Sequence, residues 1–400
     1  MLVQRDCFED LTQSLKKSEI LILIGARQVG KTHLMTKLEK FAKAKKKKTK
    51  YFNLEIPEDS RYFNQDIVNL YKDITKNTDF IFIDEFQYFE NASSLFKAIF
   101  DDRKLKVKII ASGSSSLEMH KHLKESLAGR KIEKHIFPLS FSEFKQVKKT
   151  FETYLIYGGL PGLIHLKNND QKIDLLNNLV ATYILKDIKS LIKEENIPAF
   201  NRLIYILADT QAQIVSVSSL ARELMISNKT VEHYLSILEQ TFVLYPLYSF
   251  SKNLSNELKK SKKYFLFDSG IRNSIINDFS RLKDRADKGT LHESYVHSFI
   301  RRRMPKNAEL RFWRTKDAAE IDFVYIKNRK PSIIEVKSKL KKMLIPEAFE
   351  RFLRSYPNTE HAFVINENIN GEMDHRGRLI KFIKFEDMEE DEDFLGIFKN

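Results

Sequence analysis

Cysteine is almost absent: Cys7 is the only one in 400 residues. A lone thiol can form neither an intrachain disulfide nor a cysteine-based zinc site, and it suits a reducing compartment. Long apolar runs are missing as well. No stretch approaches the roughly 18 apolar residues that mark a spanning helix, and residues 21–24 are far too short. The first residues show no apolar segment followed by small side chains, as a secretory leader would. The expectation is a cytoplasmic protein with no membrane segment. Acidic residues are outnumbered, 54 against 68 basic, for a net charge of +14. That excess suits an anionic partner such as nucleic acid, nucleotide or an acidic membrane surface. It equally suits a solubilising lysine-rich surface. What is present, 42% hydrophobic and 30% charged residues, supports folded domains, and the length asks for two or three.

The strongest local signal is ILILIGARQVGKTHL at 20–34. An apolar strand runs into Gly25, Ala26, Arg27, Gln28, Val29, Gly30, Lys31 and Thr32, then into a helix starting near His33. This is GxxxxGKT in the strand–loop–helix setting of a phosphate-binding loop. Gly25 and Gly30 let the backbone curl so that N–H groups face phosphate oxygens, and the helix N-terminus adds a favourable dipole. Lys31 would neutralise the β- and γ-phosphates of ATP, and Thr32 would place a hydroxyl on Mg²⁺. A second strand, 80–83, ends in Asp84 and Glu85. Asp84 would hold Mg²⁺ through water, and Glu85 would polarise the attacking water, which is what hydrolysis needs beyond binding. A third strand, 107–111, leads to SGSSS at 112–116, where Ser112 or Ser114 could sense the γ-phosphate or simply hold a turn. Together these segments predict an α/β fold with a parallel-sheet P-loop ATPase core. The lysine run 43–50 reads as a solvated helix end, with a nucleic-acid contact as the other reading.

GARQVGKT, FIDEFQ, SGSSS, LAGRKIEKHIFPLSFSEF (127–144) and YLIYGGLPG, in that order, resemble a family of prokaryotic AAA-type ATPases. The resemblance covers nearly the whole chain. It implies a C-terminal domain with a restriction-endonuclease-like, PD-(D/E)xK fold of uncertain function, and self-association through the ATPase domain. It also implies that Arg130 acts as an arginine finger on the γ-phosphate, in cis or from a neighbouring subunit. The alternative is a surface arginine after a glycine turn.

Past residue 138 the pattern turns helical. Ile173, Leu176, Leu179, Val180, Tyr183 and Ile184 recur near the helical period, as in a lid helix over 171–193. YGGLPG at 157–162 is turn chemistry without a catalytic role. Residues 215–250 read as a short helix (219–225), a turn and a second helix (229–240), then strand FVLYPLYSF, a basic loop and strand KYFLFDSG. That order predicts a winged helix. On DNA or RNA, Asn228, Lys229, Thr230 and His233 would face the groove, and Lys259, Lys260, Lys262 and Lys263 would touch phosphate. Glu232 and Glu239 oppose that reading, and a module used only for packing or partner binding is the alternative.

The last third reads helix (291–303), strands 310–315, 320–327 and 331–338, helix 345–354 and strand 361–366. This αβββαβ order is that of the nuclease-like fold the resemblance implies. Alternation along a strand puts Glu335 and Lys337 on one face with Val336 on the other, and Asp322 lies on the neighbouring strand. Asp322 and Glu335 could bind Mg²⁺, while Lys337 orients or deprotonates a water for phosphodiester attack. Glu293, on the preceding helix, would complete the set as the family's helical glutamate does. Glu320 is a further ligand or an N-terminal charge, His292 a helix-surface residue, Trp313 core, Arg314 a supporting polar contact, and the acidic tail 385–392 solvated. The expected domains are 1–145, 146–280 and 281–400. The expected function is an Mg²⁺-dependent ATPase whose nucleotide state gates the other two domains on nucleic acid. The alternative is a signalling or scaffold switch with an inert nuclease-like domain.

Overall fold

The computed structural model describes residues 3–114, 127–188, 192, 196–251 and 262–399. They form two compact units. One comprises Met1–Val147, Leu160–Lys167 and Ser236–Val243; the other comprises Lys148–Gly159, Asn168–Leu235 and Leu244–Asn400.

In the first unit the apolar runs become strands β1 (Ile20–Ile24), β2 (Thr49–Asn53), β3 (Phe80–Asp84), β4 (Lys108–Gly113) and β5 (Lys131–His135). Their order is β2-β3-β4-β1-β5, and every adjacent pair is parallel. Helices cover both faces of such a sheet, so Ile20, Leu21, Ile22 and Leu23 are all buried. This is why β1 reads as a continuous apolar run rather than an alternating one. Ile20, Ile22, Ile81 and Ile83 pack with Leu70, Leu95 and Phe96 in one core. Because the strands share a direction, Gly25, Asp84, Ser114 and Ile136 all come off the same edge. Ligands of open parallel sheets bind at that edge. β4 lies between β1 and β3, which puts its serines between the loop after β1 and the acids after β3.

The second unit begins at Lys148, and its first helix, Phe151–Tyr157, ends in a tight turn. Gly158 has φ +80°, and a Cβ there would lie 2.0 Å from Asp268 Oδ1. Gly159 N donates to Asp268 Oδ2 at 2.8 Å, while Oδ1 caps the helix Ser269–Ile275 through Gly270 N at 2.9 Å. Burial still pushes Asp268 up to about 6, against the backbone donors that favour its charge. The glycine pair thus serves packing around a buried carboxylate. The expected 171–193 helix is α-helical only over Asn169–Leu179 and continues as a π-helix over Val180–Ile188; of its last residues, only Ile192 is described.

Helix Ile197–Asp209 is followed by β6 (Ile214–Val215), helices Val217–Leu224 and Asn228–Gln240, β7 (Leu244–Ser249) and β8 (Lys262–Leu266). Ser216 caps the first of the paired helices, and Met225 ends it in a left-handed conformation. Next come helix Lys288–Arg303, β9 (Ala308–Arg314), β10 (Glu320–Lys327), β11 (Lys330–Lys337), helix Glu347–Ser355, β12 (Ala362–Asn366), β13 (Gly371–His375) and β14 (Arg378–Lys384). Among the described residues these strands form one sheet, ordered β13-β14-β12-β11-β10-β9-β7-β8-β6. Tyr248 and Ser249 of β7 pair in parallel with Arg311 and Phe312 of β9. The hairpin expected to stand out as a wing is therefore continuous with the C-terminal sheet. This pairing is why compactness yields two units where the sequence suggested three segments.

The acidic tail differs from expectation. Phe385 and Met388 are buried, Glu389 lies 3.4 Å from Arg303, and Asp391 lies 2.8 Å from Lys381. Apolar residues spaced among the acids anchor the segment, and basic partners meet its charge.

Candidate functional site

Gly25, at φ +152°, sits where a Cβ would lie 2.2 Å from the Ile136 carbonyl oxygen, so only glycine fits. Gly30, at φ +96°, leads into the helix Lys31–Ala44. Between them Ala26 and Val29 are buried and Gln28 is exposed. Arg27 Nη2 reaches Glu55 at 3.4 Å and Tyr88 at 3.3 Å. Lys31 Nζ donates to the carbonyls of Gly25 and Ala26, both at 3.0 Å, and lies 3.9 Å from Glu85 Oε1. Burial lowers its pKa, while Glu85 and Asp84 oppose the shift. Thr32 and His33 are exposed in the helix's first turn. Partial burial, then Lys37, pull His33 below its usual range.

Asp84 is fully buried at the end of β3; it accepts from the Ser112 hydroxyl and from Tyr51 Oη at 3.1 Å. Glu85 leaves the strand in a left-handed conformation, φ +52°. Its carboxylate accepts from Ser114 Oγ at 3.0 Å and from the Gln87 amide, which also reaches Ser114 Oγ at 3.2 Å. Lys31, Asp84, Glu85 and Ser114 thus converge on one edge, beside a loop rich in backbone N–H groups. That set can hold a polyphosphate and orient a water against it. The two serines divide their work: Ser112 braces Asp84 and Ser114 faces Glu85. Ser115 and Ser116 lie outside the described residues. Tyr51 and Gln87 were not singled out in the sequence; their signal is position, in the middle of β2 and just after the acid pair.

Arg130, read as a finger in cis or from a neighbouring subunit, or as a surface arginine, stands at the sheet edge away from the phosphate loop. Its carbonyl accepts from Ile20 N at 2.8 Å, at the start of β1, whereas the phosphate loop leaves the other end of that strand. Five residues of extended chain separate the two edges, about 16 Å. Its guanidinium makes two hydrogen bonds to Asp101, at 2.8 and 3.1 Å.

A buried arginine not foreseen in the sequence braces the loop instead. Arg5 Nη1 donates to Val29 O at 2.9 Å, Nη2 to Phe137 O at 2.7 Å, and Nε to Glu143 Oε1 at 3.0 Å. Glu143 also accepts from Asp6 N and Ser140 N, completing the cap of the helix Phe141–Lys145. The pair ties the N-terminal segment, the loop and residues 137–143 together.

A second cluster occupies the other unit. The ladder between β10 and β9 slips between Ile321 and Val324. That bulge re-aims Asp322, whose Oδ2 accepts from Val336 N at 2.8 Å. Glu335 is buried and pairs with Lys337 at 2.6 Å; its Oε2 has no hydrogen-bond partner among the described residues. Glu293, on the helix Lys288–Arg303, turns a buried Oε2 toward the same place. Burial, then the Asp322 charge, push Glu293 and Glu335 each up to about 8; burial also raises Asp322, against Lys263. Lys263 was expected to touch phosphate from the loop. It is buried, with Nζ 2.6 Å from Glu320, 3.5 Å from Glu293 and 3.9 Å from Asp322. Tyr264, Phe265 and Leu266, which follow it in β8, are buried as well. Glu320 holds Lys263 and Arg314. His292, expected on the surface, is buried against Phe385, and its Nδ1 lies 3.0 Å from Ser338 Oγ. No group of three or more His, Cys, Asp or Glu side chains among the described residues could hold a metal ion. The carboxylates here are gathered around an ammonium instead. No helix among the described residues is long and apolar enough to cross a membrane.

Residues 17–145 match a family model described as an AAA domain. Residues 148–282 and 288–384 match two models described as domains of unknown function, DUF8612 and DUF4143. The match to the AAA domain thus falls within the first unit. Among curated proteins, uncharacterized proteins resemble the chain along most of its length. One from Mycobacterium tuberculosis is 24% identical, covering 92% of this chain and 83% of its own. Others from Haemophilus influenzae and Methanocaldococcus jannaschii are each 25% identical, covering 69% and 81% of this chain and 74% and 76% of theirs. Among solved structures, AMPPCP-bound DnaA from Aquifex aeolicus aligns at 16% identity and TM-score 0.34, over 58% of this chain and 86% of that one. The Pif1 helicase from Candida albicans aligns at 12% and 0.28, over 45% and 48%.

Proposed function

We propose that the chain is an Mg²⁺-dependent ATPase whose nucleotide state governs a nucleic-acid-directed or partner-directed second unit. The observation that supports this reading most is the convergence of Lys31, Asp84, Glu85 and Ser114 at one sheet edge. In this reading the N–H groups of residues 25–31 and the Lys31 ammonium bind the β- and γ-phosphates. Thr32 and Asp84 are the side chains that would hold Mg²⁺, which supplies charge neutralisation on the phosphate oxygens. Glu85 orients and polarises the attacking water, with Ser114 and Gln87 fixing its carboxylate. Arg130 can serve only the nucleotide of a neighbouring protomer, and only after leaving Asp101.

The functional divisions are residues 1–145, 146–280 and 281–400. The middle one is a winged helix in this reading, with Asn228, Lys229 and His233 exposed on its second helix and available to DNA or RNA. The last has the helix–strand order of the PD-(D/E)xK fold. The burial of Lys263 among its acids favours a binding or scaffold role over cleavage. The binding step is tested with a fluorescent ATP analogue on Lys31→Ala: loss of binding is expected, and wild-type affinity would remove the phosphate-loop assignment.

A further inference from the structure

We propose that the first unit holds a second anion site, at the sheet edge away from the phosphate loop, and that this site takes single-stranded nucleic acid, with a base against half-buried phenylalanine rings and phosphates on the lysines around them. The reading above directs the second unit at nucleic acid. This inference goes beyond it, because the contact lies on the first unit itself and needs neither the paired helices nor the C-terminal carboxylates.

Three observations carry it. The first is shape. A cleft of about 570 Å³ opens where the helices Phe8–Ser14, Lys31–Ala44 and Ala92–Asp101 end and where β3 and β4 begin. Pockets for small organic molecules run from about 300 to 1,000 Å³, so a base with its sugar fits. The phosphate loop leaves β1 at the opposite edge, so the cleft and the nucleotide site do not overlap. The second is charge. Lys16, Lys17, Lys45, Lys47, Lys106 and Lys108 line the cleft, against one acid, Asp79. Asp79 is already engaged by Lys47 Nζ at 3.6 Å and Lys48 N at 2.8 Å. Each helix end adds about half a negative charge, so three ends and one carboxylate offset less than half of the ammonium charge. Lys16, Lys17 and Lys106 are exposed and form no ion pair among the described residues. Lys108 is buried, and its Nζ donates to the carbonyls of Lys17 and Glu19, which leaves a third N–H for the cleft. Burial pulls that ammonium down to about 8, against the Glu19 charge, and an anion in the cleft would favour its charged form. The third is aromatic surface. Phe41, Phe80 and Phe100 line the same cleft and are half-buried, and Lys45 Nζ lies 4.4 Å from the Phe41 ring centre. Single strands are held by this pairing of stacking rings with a positive track. An acidic peptide would use the lysines and leave the rings idle. Lys46 and Lys48, exposed in the run beside the cleft, extend the track for further phosphates.

The test is fluorescence anisotropy and photo-crosslinking on the full chain, with a labelled single-stranded oligothymidylate carrying one 5-iododeoxyuridine. Crosslinks are expected in peptides that contain Phe41, Phe80 or Phe100. Lys16→Glu/Lys106→Glu should weaken binding at least about tenfold and remove these crosslinks. Lys16→Gln/Lys106→Gln should weaken it in the same direction, and it carries the test if the reversed pair lowers the thermal midpoint. Lys341→Glu/Lys342→Glu makes the same charge change on exposed lysines of the other unit, and should leave the cleft crosslinks within about twofold of wild type. Crosslinks confined to the second unit, an equal loss in both reversed pairs, or displacement by polyglutamate as readily as by unlabelled oligothymidylate would overturn the proposal. ATP-analogue affinity, measured on the same samples, should keep its wild-type value in every variant. A failure of the phosphate-loop reading is therefore seen separately, as absence of nucleotide binding.

Discussion

Replacing Arg5 should disable the phosphate loop without touching a phosphate ligand. Arg5 and Glu143 are 6% and 3% exposed, and they pair at 3.0 Å. Removing one partner of such a buried pair costs about 3–5 kcal/mol, because the other charge stays buried and uncompensated. Arg5→Met keeps the stem and deletes the charge, so a loss of about 3 kcal/mol in the first unit is expected. Glu143 retains its two backbone donors, Asp6 N and Ser140 N, which argues for the lower end of that range. Val29 O also loses a charged donor, and such hydrogen bonds contribute about 1.5–3 kcal/mol. If that falls on the loop's bound conformation, ATP affinity drops about tenfold or more. Urea unfolding followed by far-ultraviolet circular dichroism reads the first quantity, and analogue titration the second. Arg5→Met/Glu143→Met should cost about 2 kcal/mol less than the sum of the two single changes. Additive singles, or an Arg5→Met chain within about 0.5 kcal/mol of wild type, would show that the pair does not brace the loop.

Gly158→Ala places a methyl against the Asp268 carboxylate at a positive φ, so a loss of at least about 2 kcal/mol is expected, read as a lower thermal midpoint. An unchanged midpoint would mean that the turn relaxes freely. Burial, then Arg301, hold the His297 imidazole well below its usual range, where its ring stacks on Phe265 at 4.1 Å. It is neutral in the fold but protonates in the unfolded chain below about pH 6.5. Its contribution is therefore intact above that pH and lost as pH falls, by at most about 1.4 kcal/mol per unit. His297→Phe should lessen the loss of stability between about pH 7.5 and 5.5, the window around that unfolded value; an unchanged slope in paired urea titrations would refute this.

Much of the first unit was legible because its signals are local. A parallel strand buried on both faces must be a continuous apolar run, and a phosphate loop must follow it within a few residues. The positions of Lys31, Asp84 and Glu85, at the ends of β1's loop and of β3, were therefore readable from the chain alone. Arg5 was not, since its partners lie 24, 132 and 138 residues away. Arg130 kept its expected sequence setting, yet the direction of β5 fixes it to the edge away from the loop. In the second unit the order of helices and strands was legible from periodicity. Lys263 was not, because lysines in a basic run look alike until the strand pairing decides which one is internal. The β7–β9 pairing and the bulge at Asp322 arise from contacts between distant segments and leave no local mark.

The central claim is that Glu85 acts on water at a bound nucleotide. It is tested most directly by comparing Mg²⁺-ATP turnover and ATP binding in wild type and Glu85→Gln. Loss of a general base typically costs about 10²–10⁴ in rate, so the variant should bind ATP with near wild-type affinity and turn it over at least about a hundredfold more slowly. Hydrolysis at the wild-type rate by Glu85→Gln, or no ATP bound by the wild-type chain, would contradict the account.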